Sequence, residues 1–146
     1  MAARRPAPPS GILEAALYVG DLDAAERFYG GLLGLERIAR VEGRHVFFRC
    51  GEGVVLVFNP EATEQAPAEG PQPVPPHGAR GPGHLCFRAN EPELDALAAY
   101  LPEQGVAIEA DFRWPNGARS IYVRDPAGNS VEFAEGRLWD AGGSPS

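Results

Sequence analysis

Hydrophobic positions along the chain fall into two rounds of one rhythm. Residues 12–19 (I-L-E-A-A-L-Y-V) read as a strand. Ala25, Phe28, Tyr29 and Leu32 then recur at helical spacing, which predicts an amphipathic helix of about three turns. Asp21 stands before it as an N-cap whose carboxylate can accept from the orphan backbone N–H groups, and Gly34 sits just past Leu33, where a terminating glycine belongs. Residues 35–41, 45–50 and 54–59 read as three further strands, the last two joined by Gly51-Glu52-Gly53 in a short turn. The second round begins with a strand at 83–89. Asn90 then caps a helix, with Glu93 three residues on completing a capping box and Leu94, Leu97, Ala98 and Leu101 as its apolar stripe. Pro102 ends or distorts the last turn, and Gly105 stops the helix. Residues 106–114 alternate as a strand, and Pro115-Asn116-Gly117 is a hairpin signal.

The sharpest pattern closes the second round. Residues 119–133 read R-S-I-Y-V-R-D-P-A-G-N-S-V-E-F. Ile121 and Val123 alternate with Ser120, Tyr122 and Arg124, the period of a half-buried strand. Asp125-Pro126-Ala127-Gly128-Asn129 is strong turn chemistry: Pro126 pre-sets φ, Gly128 can take positive φ, and Asp125 can bond the backbone ahead of it. Glu132 then stands alone between Val131 and Phe133. A carboxylate framed by two large apolar neighbours on a sheet strand needs a cation or hydrogen-bond donors to stay ionised.

The chain therefore divides into a disordered lead-in at 1–10, a βαβββ module at 11–59, a Pro- and Gly-rich linker at 60–82, a second βαβββ module at 83–135 and a tail at 136–146. The fold class expected is α+β, built from tandem βαβββ modules. Neither module alone can bury both its sheet and its helix, so the halves must pair, within the chain or between chains. The repeat is one of pattern rather than of letters, with Glu14 and His84 at the same place in their respective first strands.

A formal charge of −7 argues against nucleic-acid partners, because a phosphate backbone would be repelled. No apolar run approaches the ~20 residues that span a bilayer, and residues 1–10 lack the apolar centre of a secretory signal, so a cytoplasmic protein is expected. Cys50 and Cys86 sit in apolar strand patterns and are read as buried free thiols, with a disulfide as the alternative. In the tail, Leu138 and Trp139 are apolar enough to dock on a neighbouring surface, while the final Gly-Gly-Ser-Pro-Ser is expected to fray.

The duplicated βαβββ unit, the D-P-x-G-N-x-[IV]-E-[FL] hairpin and the stretch L-Y-V-x-D-L-D-x-A-x-x-F-Y-x-x-L-L-G-L over residues 17–35 together resemble the vicinal oxygen chelate superfamily. That group comprises glyoxalase I, the fosfomycin- and bleomycin-resistance proteins, and the extradiol dioxygenases that include dihydroxybiphenyl dioxygenase. The resemblance covers residues 11–133. It implies cupped mixed sheets facing each other around a divalent ion whose ligands come from the first and last strands of each module. Carried onto this chain, it makes Glu14, His84 and Glu132 the metal ligands. The fourth position falls within Val55-Leu56-Val57 and carries no ligand, a departure from glyoxalase I, which has Glu there.

Three protein ligands leave room for water or substrate, and an oxygen-rich set with one imidazole suits Mn, Fe, Zn or Ni. Such an ion can grip two vicinal oxygens of a small substrate and stabilise an enediolate or alkoxide. The implied protein is a metal-dependent lyase, isomerase or thiol-adding enzyme, and a homodimer. Its alternatives are a metal-free drug- or metabolite-binding protein of the bleomycin-resistance kind and a ring-cleaving dioxygenase. Glu14 in place of a His weakens the last, since that chemistry favours two His and one carboxylate on iron.

The residues assigned catalytic roles are Glu132 and Glu14 as proton-transfer bases, Tyr122 as an oxyanion contact and His45 as an acid/base or substrate contact. Each has a plainer reading: Glu14 as a solvated edge charge, His84 as a rim residue, His45 as a hairpin cap and Tyr122 as strand packing. Whether Tyr122 shares a face with Glu132 depends on a simple hairpin register. Arg49 and Arg124 end strands and read mainly as solvated surface charges, with attraction of an anionic substrate the lesser reading. His77 reads as an ordinary loop histidine, with a place over the cavity mouth as the alternative.

Overall fold

Each alternating segment pairs into one of two sheets. In the computed structural model of the protein, residues 3–65 and 70–140 are described. Strands β1 (Glu14–Tyr18), β2 (Glu36–Val41), β3 (His45–Cys50) and β4 (Gly53–Phe58) form one sheet in the order β1-β4-β3-β2. Strands β5 (His84–Arg88), β6 (Ala110–Arg113), β7 (Arg119–Arg124) and β8 (Ser130–Ala134) form the other in the order β5-β8-β7-β6. β1 runs parallel to β4 and β5 parallel to β8, while the remaining pairs are antiparallel. Both sheets are mixed and neither closes on itself, the α+β architecture expected.

Helix α1 (Leu22–Glu26) begins where Asp21 accepts from the Ala24 N–H at 3.0 Å. It does not run on as three α-helical turns. From Arg27 to Leu32 the chain widens into a π-helical segment, with the Leu33 N–H reaching the Phe28 carbonyl at 3.0 Å. The wider turn leaves Phe28 and Tyr29, adjacent in sequence, both buried. Gly30 permits it: a Cβ there would lie 3.2 Å from Cε1 of the fully buried Phe48. Helix α3 (Glu91–Glu103) opens with the expected capping box, Asn90 and Glu93 each bonding the other's backbone N–H.

One apolar core joins the halves. Leu17, Tyr29, Phe48 and Val57 from the first half meet Phe87, Leu94, Val123 and Val131 from the second. A polar clasp reinforces it at the Asp125–Asn129 turn. The buried Asp125 accepts from the Ala127 and Asn129 N–H groups, both at 2.9 Å, and from the Tyr29 hydroxyl of the first half at 2.7 Å. Asn129, also buried, accepts from the Gly83 N–H at 2.7 Å and donates to the Tyr18 carbonyl at 3.2 Å. The turn residues thus stitch the two sheets together as well as reversing the chain.

Four further sequence expectations need correction. The strand read at 106–114 shrinks to β6, because Val106 is drawn against the core instead of continuing the ladder. The linker opens with a short helix, α2 (Pro60–Thr63), capped by the Asn59 side chain. Cys50 and Cys86 are free, as expected, but Cys86 is exposed and Cys50 only half-buried. Cys86 alternates with Leu85 and Phe87 and so faces away from the core. The last expectation concerns the tail, where Gly136–Trp139 forms a 3-10 turn that buries Leu138 against Ala118, Ala134 and Trp114 but leaves Trp139 exposed. The final Gly-Gly-Ser-Pro-Ser lies outside the described residues. Among the described residues no helix is long and apolar enough to cross a membrane.

Candidate functional site

The β7–β8 hairpin has the simple register, with Tyr122 directly opposite Glu132. On the other side of β8, parallel pairing puts Cys86 opposite Glu132 and His84 opposite Ser130. Ser120, Tyr122, Glu132, His84 and Cys86 therefore share the face turned away from the core. Glu132 is only 5% exposed there. Its Oε2 accepts from the Ser120 hydroxyl at 2.6 Å, and Ser120 in turn accepts from Trp114 Nε1 at 2.7 Å. Its Oε1 lies 3.2 Å from His84 Nε2. His84 Nδ1 lies 3.1 Å from both the carbonyl and the hydroxyl of Ser130.

A proton on Nδ1, bonded to the Ser130 carbonyl, leaves Nε2 aimed at the carboxylate. Either an imidazolium or a cation shared between Nε2 and Oε1 satisfies that geometry. It is also the arrangement that orients metal-binding histidines, with one ring nitrogen anchored to a backbone carbonyl and the other free to ligate. The neighbours feel the carboxylate. Burial, then the charge and hydrogen bonding of Glu132, push the Tyr122 hydroxyl up to about 12. The same causes in the same order push the Cys86 thiol up to about 12. Both keep their protons at neutral pH, so Tyr122 is a hydrogen-bond donor and not a base.

The first sheet offers a different face. Glu14 opens β1 opposite Val54, Ala16 pairs with Leu56, and Tyr18 pairs with Phe58. Leu56 thus occupies the position that Glu132 holds in the second sheet. Glu14 is exposed at one end of a cavity of about 500 Å³ that also takes in Tyr18, His45, Phe47, Phe58 and His77. His45 is stacked on Phe47 and accepts at Nδ1 from Arg44 Nη1 at 2.9 Å. Burial, and secondarily the Arg44 charge, hold its imidazole below the ordinary value. His77 is seated at this cavity by Tyr18, whose hydroxyl meets Nδ1 at 2.6 Å.

Of the residues singled out in the sequence, the fold brings His84, Glu132 and Tyr122 together and places Glu14 and His45 on the other sheet. Among the described residues no three His, Cys, Asp or Glu side chains converge where they could hold a metal ion. Among the described residues the donors brought together are therefore His84 Nε2 and Glu132 Oε1. Arg124 pairs with Glu109 on the surface. Sequence reading missed Trp114 and Cys86 as neighbours of this face. Ser120 was visible in the alternation with Tyr122, but its bond to Glu132 was not.

A family model for the Glyoxalase/Bleomycin resistance protein/Dioxygenase superfamily matches residues 11–133. The chain belongs to that superfamily. Among solved structures, a lactoylglutathione lyase from Agrobacterium tumefaciens is 46% identical with a TM-score of 0.86, covering 92% of this chain and all of that one. A glyoxalase/bleomycin resistance protein/dioxygenase from Nocardioides shares the fold at a TM-score of 0.69 and 22% identity, over 97% of this chain and 91% of its own. A virulence protein of Salmonella typhimurium is 27% identical over 128 residues, 82% of this chain and 79% of that protein. Superfamily membership covers both modules and the hairpin that carries Glu132.

Proposed function

We propose that the protein is a divalent-metal-dependent lyase or isomerase acting on a small oxygenated substrate. The observation that carries this reading is the His84–Glu132 pair: a buried carboxylate oxygen 3.2 Å from a ring nitrogen whose partner nitrogen is anchored at Ser130. The 46% identity to a lactoylglutathione lyase supports the reaction class. The pair fits two positions of a metal centre, and a catalytic centre of this kind wants about three protein ligands. We assign the third to Glu14 from a second copy of the chain. A two-fold dimer that laid the open face of one first sheet on the open face of the other's second sheet would bring Glu14 to the pair, and symmetry would do so twice. It would also cover apolar side chains that one chain leaves exposed, such as Ile12, Leu13 and Phe112.

A bound divalent ion supplies Lewis-acid stabilisation of negative charge on two substrate oxygens. The chain's own groups supply the rest. Glu132 has both oxygens committed, one to Ser120 and one toward His84, and so serves as a fixed ligand. Glu14 carries no side-chain hydrogen bond among the described residues, which makes it the freer carboxylate to accept a proton from carbon and return it to the neighbouring carbon. Tyr122, its proton retained, donates to a substrate oxygen. A ring-cleaving dioxygenase is disfavoured by the single imidazole. A metal-free binding protein is the second reading, and the cavity on the first sheet is what favours it.

Metal analysis of protein purified without chelator separates these readings. The expected result is about one divalent ion per chain in the wild type, lost in Glu132→Ala. No metal in either protein would leave the binding-protein reading standing. Screening carbonyl, epoxide and catechol compounds against the reconstituted protein then assigns the reaction.

A further inference from the structure

The cavity on the first sheet is organised in three ranks across its strands. Tyr18, Phe58 and His45 form one end, Ala16, Leu56 and Phe47 the middle, and Glu14 the other end. From Glu14 to Tyr18 the strand runs about 13 Å. Its volume of about 500 Å³ is that of a small-ligand site. Phe58 is buried at the floor, with the rings of His77, Phe47, His45 and Tyr18 centred 4.6, 5.4, 5.9 and 6.0 Å from its own. The first three meet it edge-on, so aromatic rings close this end of the cavity.

The polar chemistry of this cavity sits at its ends and is of opposite sign. Glu14 closes one end. Arg44 stands at the other, half-buried, its guanidinium 5.7 Å from the centre of the Phe58 ring. Arg40, Arg113, Arg119 and Arg124 all have carboxylate partners, whereas Arg44 forms no ion pair among the described residues. Its one side-chain bond is to His45 Nδ1, which uses a single N–H of the five that a guanidinium carries. The middle rank offers nothing polar, so a peptide-like ligand would leave its amides unpaired there.

We propose that this cavity binds a planar aromatic carboxylate, its ring lying along Leu56 and the edge of Phe47 above the packed Phe58 floor and its carboxylate on the Arg44 guanidinium that His45 steadies. Binding itself does not depend on a metal. Only the orientation rests on the proposed function: the substrate is then an aryl carboxylate whose far end presents its chelating oxygens toward Glu14.

The test uses the full-length protein treated with chelator and titrated with benzoate, acetate and benzyl alcohol, with the ring signals of His45 followed by NMR. Benzoate is expected to saturate and to shift His45, with acetate and benzyl alcohol each weaker by about tenfold or more. Arg44→Gln is expected to weaken benzoate by a similar factor and to leave benzyl alcohol unchanged. Benzoate binding no tighter than acetate, or insensitive to Arg44→Gln in a folded variant, overturns the proposal. Should that variant not fold, the three-ligand comparison on the wild type decides alone. Metal content, measured separately before chelation, keeps the two readings apart. Metal present without benzoate binding overturns only this inference, and benzoate binding without metal supports it while contradicting the metal reading.

Discussion

Glu132 is a carboxylate whose two oxygens have different tasks. Oε2 is held by Ser120, which Trp114 orients, and Oε1 is left for His84 and whatever cation it shares. Replacing Ser120 by Ala strands both the indole N–H and Oε2. We expect a loss of about 1–3 kcal/mol in urea unfolding and metal affinity lower by about 10–100-fold. Unchanged metal affinity would show that Ser120 does not set the ligand's orientation. Burial first, and then the same carboxylate, sets its neighbours' titration. Tyr122 is raised from 10.0 to about 12, so its folded value lies above its unfolded one. The stability it contributes is whole below about pH 10 and is lost as pH rises toward about 12. Wild-type protein should therefore lose more stability than Tyr122→Phe between about pH 9 and about pH 12, as read from denaturation midpoints. Cys86, exposed yet raised to about 12, should alkylate slowly at neutral pH and faster in Glu132→Gln.

At the scale of elements, the π-helical segment and the Asp125–Asn129 turn are where the fold departs most from simple pattern. Gly30→Ala would put a methyl group 3.2 Å from Cε1 of the fully buried Phe48, so that ring must shift by a few tenths of an ångström, and a cost of about 1–2 kcal/mol in thermal or urea unfolding is expected. A neutral or stabilising effect would mean that the Phe48 ring gives way without cost. Sequence pattern made the β7–β8 hairpin legible because a short turn fixes register, and with it Tyr122 opposite Glu132. Cys86 beside Glu132 was not legible, since parallel strands joined across a helix and a hairpin have no local turn to set their register. The π-helical segment was hidden for a related reason. Phe28 and Tyr29 both fit an apolar helical face, and only packing against Phe48 and Phe87 decides that both point inward. Asp125 was readable as a turn residue, but its bond to Tyr29, 96 positions away, belongs to tertiary structure alone.

For the whole molecule, the clasp and the shared core make the two halves one body, while the two open faces stay apart. One carries His84 and Glu132, and the other carries Glu14 and the aromatic cavity. On this account the working site is shared between two chains. The direct measurement is metal binding by mixed dimers of Glu14→Ala and Glu132→Ala, prepared by refolding the two variants together. Each variant alone is expected to hold no stoichiometric ion. Random pairing makes half the dimers mixed, each with one intact site, so the mixture should recover about a quarter of the wild-type metal. A mixture that binds no more than either parent would contradict a site built across the two subunits.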